Sequence, residues 1–142
     1  MIHFQLYTLT GQKFDEDVYE VILPTLDGQI GVLPGHMPLV SVATTGIISV
    51  RRNPRDSDAM MDNFATYGGI IEVDNDNLRV LVDEADHSDE INEAEAQHAM
   101  ERAKKVLAEA KDQTSLEQAQ TLVDRQTVRL QVAGLRRRSD RR

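Results

Sequence analysis

Between Asp27 and Val40 the chain reads Asp27-Gly28-Gln29-Ile30-Gly31-Val32-Leu33-Pro34-Gly35-His36-Met37-Pro38-Leu39-Val40, three glycines and two prolines threaded through an apolar run. Glycine reaches backbone angles that side-chain-bearing residues tolerate poorly, and proline fixes φ and removes a donor. The segment is therefore expected to be two short strands joined by a tightly specified turn.

The first ninety residues continue in that style. Short runs alternate in period two: Ile2, Phe4, Leu6; Val18 through Leu23; Leu39, Ser41, Ala43 opposite Val40 and Val42; Ile48, Val50; Ile71, Val73; and Leu78, Val80, Val82. Turn signals separate them at Thr10-Gly11, Asp27-Gly28, Pro34-Gly35, Gly46, Asn53-Pro54-Arg55-Asp56, Gly68-Gly69 and Asp74-Asn75-Asp76-Asn77. This spacing predicts an antiparallel β sandwich or flattened barrel. No helix-length pattern interrupts the runs, which argues against a parallel sheet with crossover helices.

From Ile91 onward the period becomes helical. Asn92 with Glu95 reads as an N-cap and its capping-box glutamate, and Ala96, Ala99, Ala103, Val106 and Ala110 recur at steps of three and four. After a break at Asp112-Gln113-Thr114-Ser115, Thr114 and Glu117 form a second capping box, and Leu116, Ala119, Val123, Thr127 and Leu130 carry the next face. Gly134 is the expected end of that helix. So short a link implies an antiparallel two-helix hairpin, and alanine faces let the axes approach closely. At about 25 cal/mol per Å² such a seam stabilises far less than a leucine seam, so the hairpin is expected to detach and rearrange. The fold class is thus β + α in two segregated domains, residues 1–88 and 89–142.

Charge divides at the same place. Residues 1–90 carry 5 Lys/Arg against 16 Asp/Glu, a net of −11, whereas residues 91–142 carry 11 against 8, a net of +3. Residues 125–142 alone hold seven arginines and one acid, a basic tail suited to nucleic acid, acidic lipid or an acidic protein surface. At 142 residues and 40% apolar content the chain holds one ordinary domain, or a small domain with a helical appendage. The absence of cysteine removes disulfides, thiolate zinc sites and thiol nucleophiles. The amino terminus lacks the pattern of a signal peptide, and no run approaches the ~20 apolar residues of a membrane span. Direct membrane insertion is not expected, so any membrane association must go through another protein.

The run Gly-x-x-Gly-x-Leu-Pro-Gly-His-x-Pro-Leu-Val resembles the signature of the epsilon subunits of F-type proton-translocating ATP synthases. Tyr67-Gly68-Gly69-Ile70-Ile71-Glu72-Val73 resembles that family's Gly-Gly strand-turn, Leu78-Arg79-Val80-Leu81-Val82-Asp83 its following strand, and Glu101-Arg102-Ala103 part of its first helix. The resemblance covers nearly the whole chain. It implies a sandwich of about ten strands joining the gamma subunit to the membrane c-ring, with Gln29, Ile30, Leu33, His36 and Met37 at that interface. It also implies a mobile hairpin that swings up along gamma toward the alpha/beta catalytic hexamer, where in many members it blocks ATP hydrolysis. Arg125, Arg129, Arg136, Arg137 and Arg138 would then face acidic surfaces of the beta subunits. Such a protein is a non-catalytic rotor component at the cytoplasmic face of the cell membrane.

Two departures from the family pattern bear on ligands and contacts. Gln29 stands where many members have Glu, so hydrogen bonding survives there but a salt bridge does not. Asp86, Asn92, Arg102, Arg125 and Arg129 match positions that surround a regulatory ATP in nucleotide-sensing members. However, Asn92 replaces an acid, and Glu95 places an anion where a phosphate partner would be wanted. No cofactor is therefore expected.

Other chemistries fit less well. His36 has no serine or cysteine partner in sequence context, so it is expected as a loop or interface residue rather than a general base. His3, His87 and His98 share no metal-ligand spacing with it. The Asp74–Asn77 run lacks the glycine and terminal glutamate of a calcium loop, its twelfth position being Ala85. The scattered aromatics offer no platform for nucleic acid. The alternatives left open are a stand-alone β-sandwich binding module with a helical oligomerisation hairpin and, more remotely, an enzyme centred on His36.

Overall fold

A computed structural model describes residues 1–140, with side chains through Arg136. Eight strands precede two helices: β1 Ile2–Thr8, β2 Gly11–Val18, β3 Glu20–Thr25, β4 Gly28–Val32, β5 Leu39–Arg51, β6 Asp62–Asp74, β7 Asn77–Val82 and β8 Ala85–His87, then α1 Glu93–Glu109 and α2 Gln113–Asp140. The strands run in the order β2-β1-β7-β6-β5-β3-β4, with β8 paired to β6. The family resemblance implied about ten strands; the described residues form eight. All pairings are antiparallel except β1 with β7. That parallel pair needs no crossover helix, because the intervening strands themselves carry the chain back.

The alternating runs bury as their period requires. Ile2, Phe4 and Leu6 of β1 and Leu78 and Val80 of β7 are wholly buried, in one core with Val18, Val21, Leu23, Val32, Ile48, Val50, Phe64 and Ile71. One of the expected runs is corrected, and one strand lies outside them. Val18 through Leu23 is not one strand, since the ladder breaks at Tyr19 between β2 and β3. The strand β2, GQKFDEDV, was missed because it lies at an edge: only Phe14 and Val18 point inward, and its acids face water.

The long strands β5 and β6 do something that alternation alone does not reveal. In one half, Ala43 and Ile71 face the core while Val40, Val42 and Ile70 point outward. In the other half Ile48, Val50 and Phe64 face the core, whereas Ile47, Ala65 and Tyr67 face the helices. The inward face thus changes parity between Ala43 and Ile48 on β5 and between Tyr67 and Ile71 on β6. Pairing lapses between Ala43↔Gly69 and Thr45↔Tyr67, where Gly68 takes φ +112°. Next to it Gly69 approaches β7 so closely that a Cβ would lie 2.1 Å from the Leu81 carbonyl oxygen.

The hairpin packs on this second half. Ala65 of β6 and Ile91 form a second core with Ala96 of α1 and Val128, Val132 and Ala133 of α2, flanked by Ile47, Tyr67 and Leu130. Between the helices Ala96, Met100, Ala103 and Ala119 are buried, while Val106 and Leu116 of the expected faces stay substantially exposed. Asn92 caps α1 by accepting from the Glu95 N–H at 3.0 Å. The cap of α2 is corrected from Thr114 to Asp112, whose carboxylate accepts from the Ser115 N–H at 2.7 Å. Nor does α2 end at Gly134: it continues to Asp140. One interior glycine costs a helix only about 1 kcal/mol relative to alanine. The buried Val132 and Ala133, and an Arg136 guanidinium donating to the Ser88 carbonyl at 3.1 Å, hold the last turns against the sandwich.

Candidate functional site

Where α2 crosses the sandwich, residues 125, 126 and 129 lie on the side of the helix that meets β6 and β8, since positions three and four apart share a helical face. The ladder pairs Ala65 of β6 with Asp86 of β8. Tyr67, two residues along from Ala65, presents its ring to the same side. The Tyr67 hydroxyl donates to Asp86 Oδ2 at 2.6 Å, and Arg129 Nε lies 3.7 Å from that same oxygen. Arg129 Nη1 donates to Oε1 of the buried Gln126 at 3.1 Å. Arg125 lies over the Tyr67 ring, 4.1 Å from its centroid, and forms an ion pair with Glu84 in the turn before β8. Burial, followed by the hydrogen bond to Asp86, pushes the Tyr67 pKa well up, so the hydroxyl remains a donor.

This cluster contains three of the five residues that the family pattern placed around a nucleotide. Asp86, Arg125 and Arg129 come together; Asn92 is spent on capping α1; and Arg102 is exposed, lining a groove between the helices with Ala99, Leu122 and Gln126. Glu84, Gln126 and Tyr67 were not singled out for this site. Glu84 carries no sequence signal, because any acid after a strand looks like a solvated turn residue. Of the basic array, Arg125, Arg129 and Arg136 are engaged with the sandwich; the side chains of Arg137 and Arg138 lie outside the described residues.

The turn after β4 is fixed from two sides. Gly35, at φ +83°, donates its N–H to Asp76 Oδ1 at 2.7 Å, and the His36 N–H bonds the Leu33 carbonyl at 3.1 Å. His36 Nδ1 donates to the Met37 carbonyl at 2.6 Å. Gln29, Leu33 and Met37 are exposed, whereas Ile30 packs against the core. A second surface was not singled out from the sequence. Register places Val42 opposite Ile70 and Ile70 opposite Leu81, so three outward apolar side chains line up across β5, β6 and β7, with Val40 beside them. They are 53%, 49%, 44% and 76% exposed in that order. Strand pairing, invisible in one strand's sequence, assembles this strip.

Among the described residues no group of three or more His, Asp or Glu could hold a metal ion, and no helix is long and apolar enough to cross a membrane. Comparison with known proteins matches both halves of the chain. A family model described as ATP synthase, Delta/Epsilon chain, beta-sandwich domain matches residues 1–88, and one described as ATP synthase, Delta/Epsilon chain, long alpha-helix domain matches residues 89–134. An ATP synthase epsilon chain from Gloeobacter violaceus is 36% identical over 85% of this chain and 88% of its own length. One from Halalkalibacterium halodurans is 33% identical over 94% and 97%, and one from Synechococcus elongatus 39% over 85% and 86%. The fold is shared with a chain of the Euglena gracilis mitochondrial ATP synthase, at TM-score 0.78 and 22% identity over 93% of this chain and 80% of that one. With full-length relatives above 30% identity and both family models in chain order, this chain belongs to the family of ATP synthase epsilon chains.

Proposed function

We propose that the chain is a non-catalytic, central-stalk subunit of an F-type ATP synthase, helping to couple proton translocation to ATP synthesis. The observation that carries this reading beyond family membership is the apolar strip of Val40, Val42, Ile70 and Leu81. A contiguous exposed apolar surface on a domain that already has its own buried core marks a contact with another protein. Residues 1–88 are the part that binds gamma through this strip and meets the membrane ring through Gln29, Leu33, His36 and Met37. Residues 89–142 are a regulatory arm, and the complex holds the chain peripherally at the cytoplasmic face of the cell membrane.

A regulatory arm needs contacts that differ between its two positions. In the position described here Arg125, Arg129 and Arg136 are engaged with the sandwich. A raised hairpin frees all three for acidic surfaces of the catalytic hexamer. Exposed ion pairs contribute roughly 0 to 1 kcal/mol each, so only the array acting together shifts the population.

Co-purification with gamma, followed by an ATPase assay of the assembled complex, tests both halves of the proposal. Val42→Glu with Ile70→Glu is expected to abolish gamma binding while leaving the strand signal in circular dichroism intact. Deletion of residues 91–142 is expected to raise ATP hydrolysis. Undiminished gamma binding by the double variant would remove the apolar strip from the interface. Unchanged hydrolysis, in complexes that retain the truncated chain, would leave a coupling subunit without an inhibitory arm.

A further inference from the structure

We propose that Asp86 is the keystone of a polar latch, built from this chain's own side chains, which pins the helical hairpin to the sandwich by gripping Arg129 and Tyr67 at once. The apolar part of the hairpin–sandwich contact joins Ala65, Ile91, Ala96, Val128, Val132 and Ala133, with Ile47, Tyr67 and Leu130 packed beside them. Apolar burial is non-directional, so such a surface holds the hairpin down without fixing where it sits. The polar part supplies the position. One carboxylate oxygen, Asp86 Oδ2, receives the Tyr67 hydroxyl at 2.6 Å and faces Arg129 Nε at 3.7 Å.

Arg129 depends on that carboxylate. Its side chain is only 17% exposed and its Nε has no hydrogen-bond partner. The Gln126 amide that accepts from Nη1 lies on the same helix and carries no charge. Among the described residues Asp86 is the one acid paired with it. A guanidinium held out of water needs a counter-charge, and removing the partner of a buried pair costs far more than the intact pair contributes. Tyr67 ties the two sides together, since its hydroxyl rests on Asp86 while Arg125 lies over its ring. Glu84, 54% exposed, closes the rim and contributes little. Loss of the Asp86 charge therefore strips Arg129 of its counter-ion and weakens the seat of Tyr67 in one step. The latch belongs to the isolated chain, so its test involves no other subunit.

The chain has no cysteine, so spin labels on Thr45→Cys and Asp124→Cys, two exposed positions lining one cleft between β5 and α2, report docking of the full-length protein. With no further change the labels give a short, narrow distance. Asp86→Asn is expected to lower the docked-to-released ratio about tenfold, the partial exposure of the pair softening the fully buried case. Adding Arg129→Met, which removes the stranded charge, is expected to restore most of the short distance. Tyr67→Phe should shift the distribution in the same direction by a smaller amount, and Glu84→Gln should leave it unchanged. A distribution unaltered by Asp86→Asn overturns the latch, as does release that Arg129→Met fails to relieve. If Asp86→Asn loses its strand signal in circular dichroism, Tyr67→Phe decides: an unaltered distribution in that variant overturns the proposal.

Discussion

Replacing Gly69 by alanine should be the most damaging single-methyl change in the sandwich. The added Cβ would stand 2.1 Å from the Leu81 carbonyl oxygen, 2.7 Å from Val82 Cγ1 and 3.0 Å from the Leu81 carbonyl carbon. Carbon and oxygen sit at about 3.3 Å even in the close contacts of adjacent strands, so β6 and β7 must part by about 1.2 Å here. That is a quarter of the roughly 4.8 Å between neighbouring strands. The displaced pairs are Gly69↔Val82, Ile70↔Leu81 and Ile71↔Val80, and Ile71 and Val80 are wholly buried. Overpacking of this kind costs about 1–3 kcal/mol, and one strained ladder hydrogen bond adds about 1 kcal/mol. A loss of roughly 3 kcal/mol would lower the melting temperature of a domain this size by roughly 12–24 °C. Gly31→Ala is the matched control. Its Cβ would meet nothing nearer than Glu20 Oε2 at 3.7 Å, an ordinary van der Waals contact, and reduced freedom of the unfolded chain should stabilise by about 0.4–1 kcal/mol. Urea unfolding followed by the strand signal in circular dichroism measures both. A Gly69→Ala midpoint within error of the parent, or Gly31→Ala falling as far, would refute the close-approach account.

Three other outcomes are expected. A chain ending at residue 88 should keep the strand signal and cooperative unfolding, because every residue of the larger core lies between Ile2 and Ala85; a non-cooperative melt would count against this. His3 hydrogen-bonds Asp17 and contacts Asp15, and chiefly the Asp17 bond raises its pKa above the ordinary 6.5. Its stabilising contribution is therefore complete below pH 6.5 and is lost as pH rises through the raised folded value, so His3→Gln should lower the melting temperature more at pH 5.5 than at pH 8.5. Millimolar ATP should leave the melting temperature unchanged, since Arg125 and Arg129 already face Glu84 and Asp86. A ligand at a hundred times its dissociation constant would add about 2.7 kcal/mol, so a rise abolished by Arg129→Ala would overturn this.

Local periodicity determined much of this protein before any tertiary contact. Ile2, Phe4, Leu6, Leu78 and Val80 alternate and are buried, and the turn at Asp74–Asn77 forms, with Asn75 and Asp76 at φ 48° and 61°. The shift to period 3.6 after Ile91 became two helices, and Asn92 caps the first. These features are readable because each depends on neighbours within a few residues. The charged edge strand β2 and the run of α2 through Gly134 to Asp140 were not readable, because ladder pairing and docking overrode local preference. The same holds for function. The arginine pair at 125 and 129 could be seen as one helical face, but its partners Glu84, Asp86 and Tyr67 stand roughly 40 to 60 residues away in the chain. The Val42–Ile70–Leu81 strip likewise exists only in cross-strand register. The sequence determined the family and most of the elements. Tertiary structure alone decided which side chains meet across them, because pairing between strands and the seating of a helix on a sheet join residues that local periodicity cannot connect.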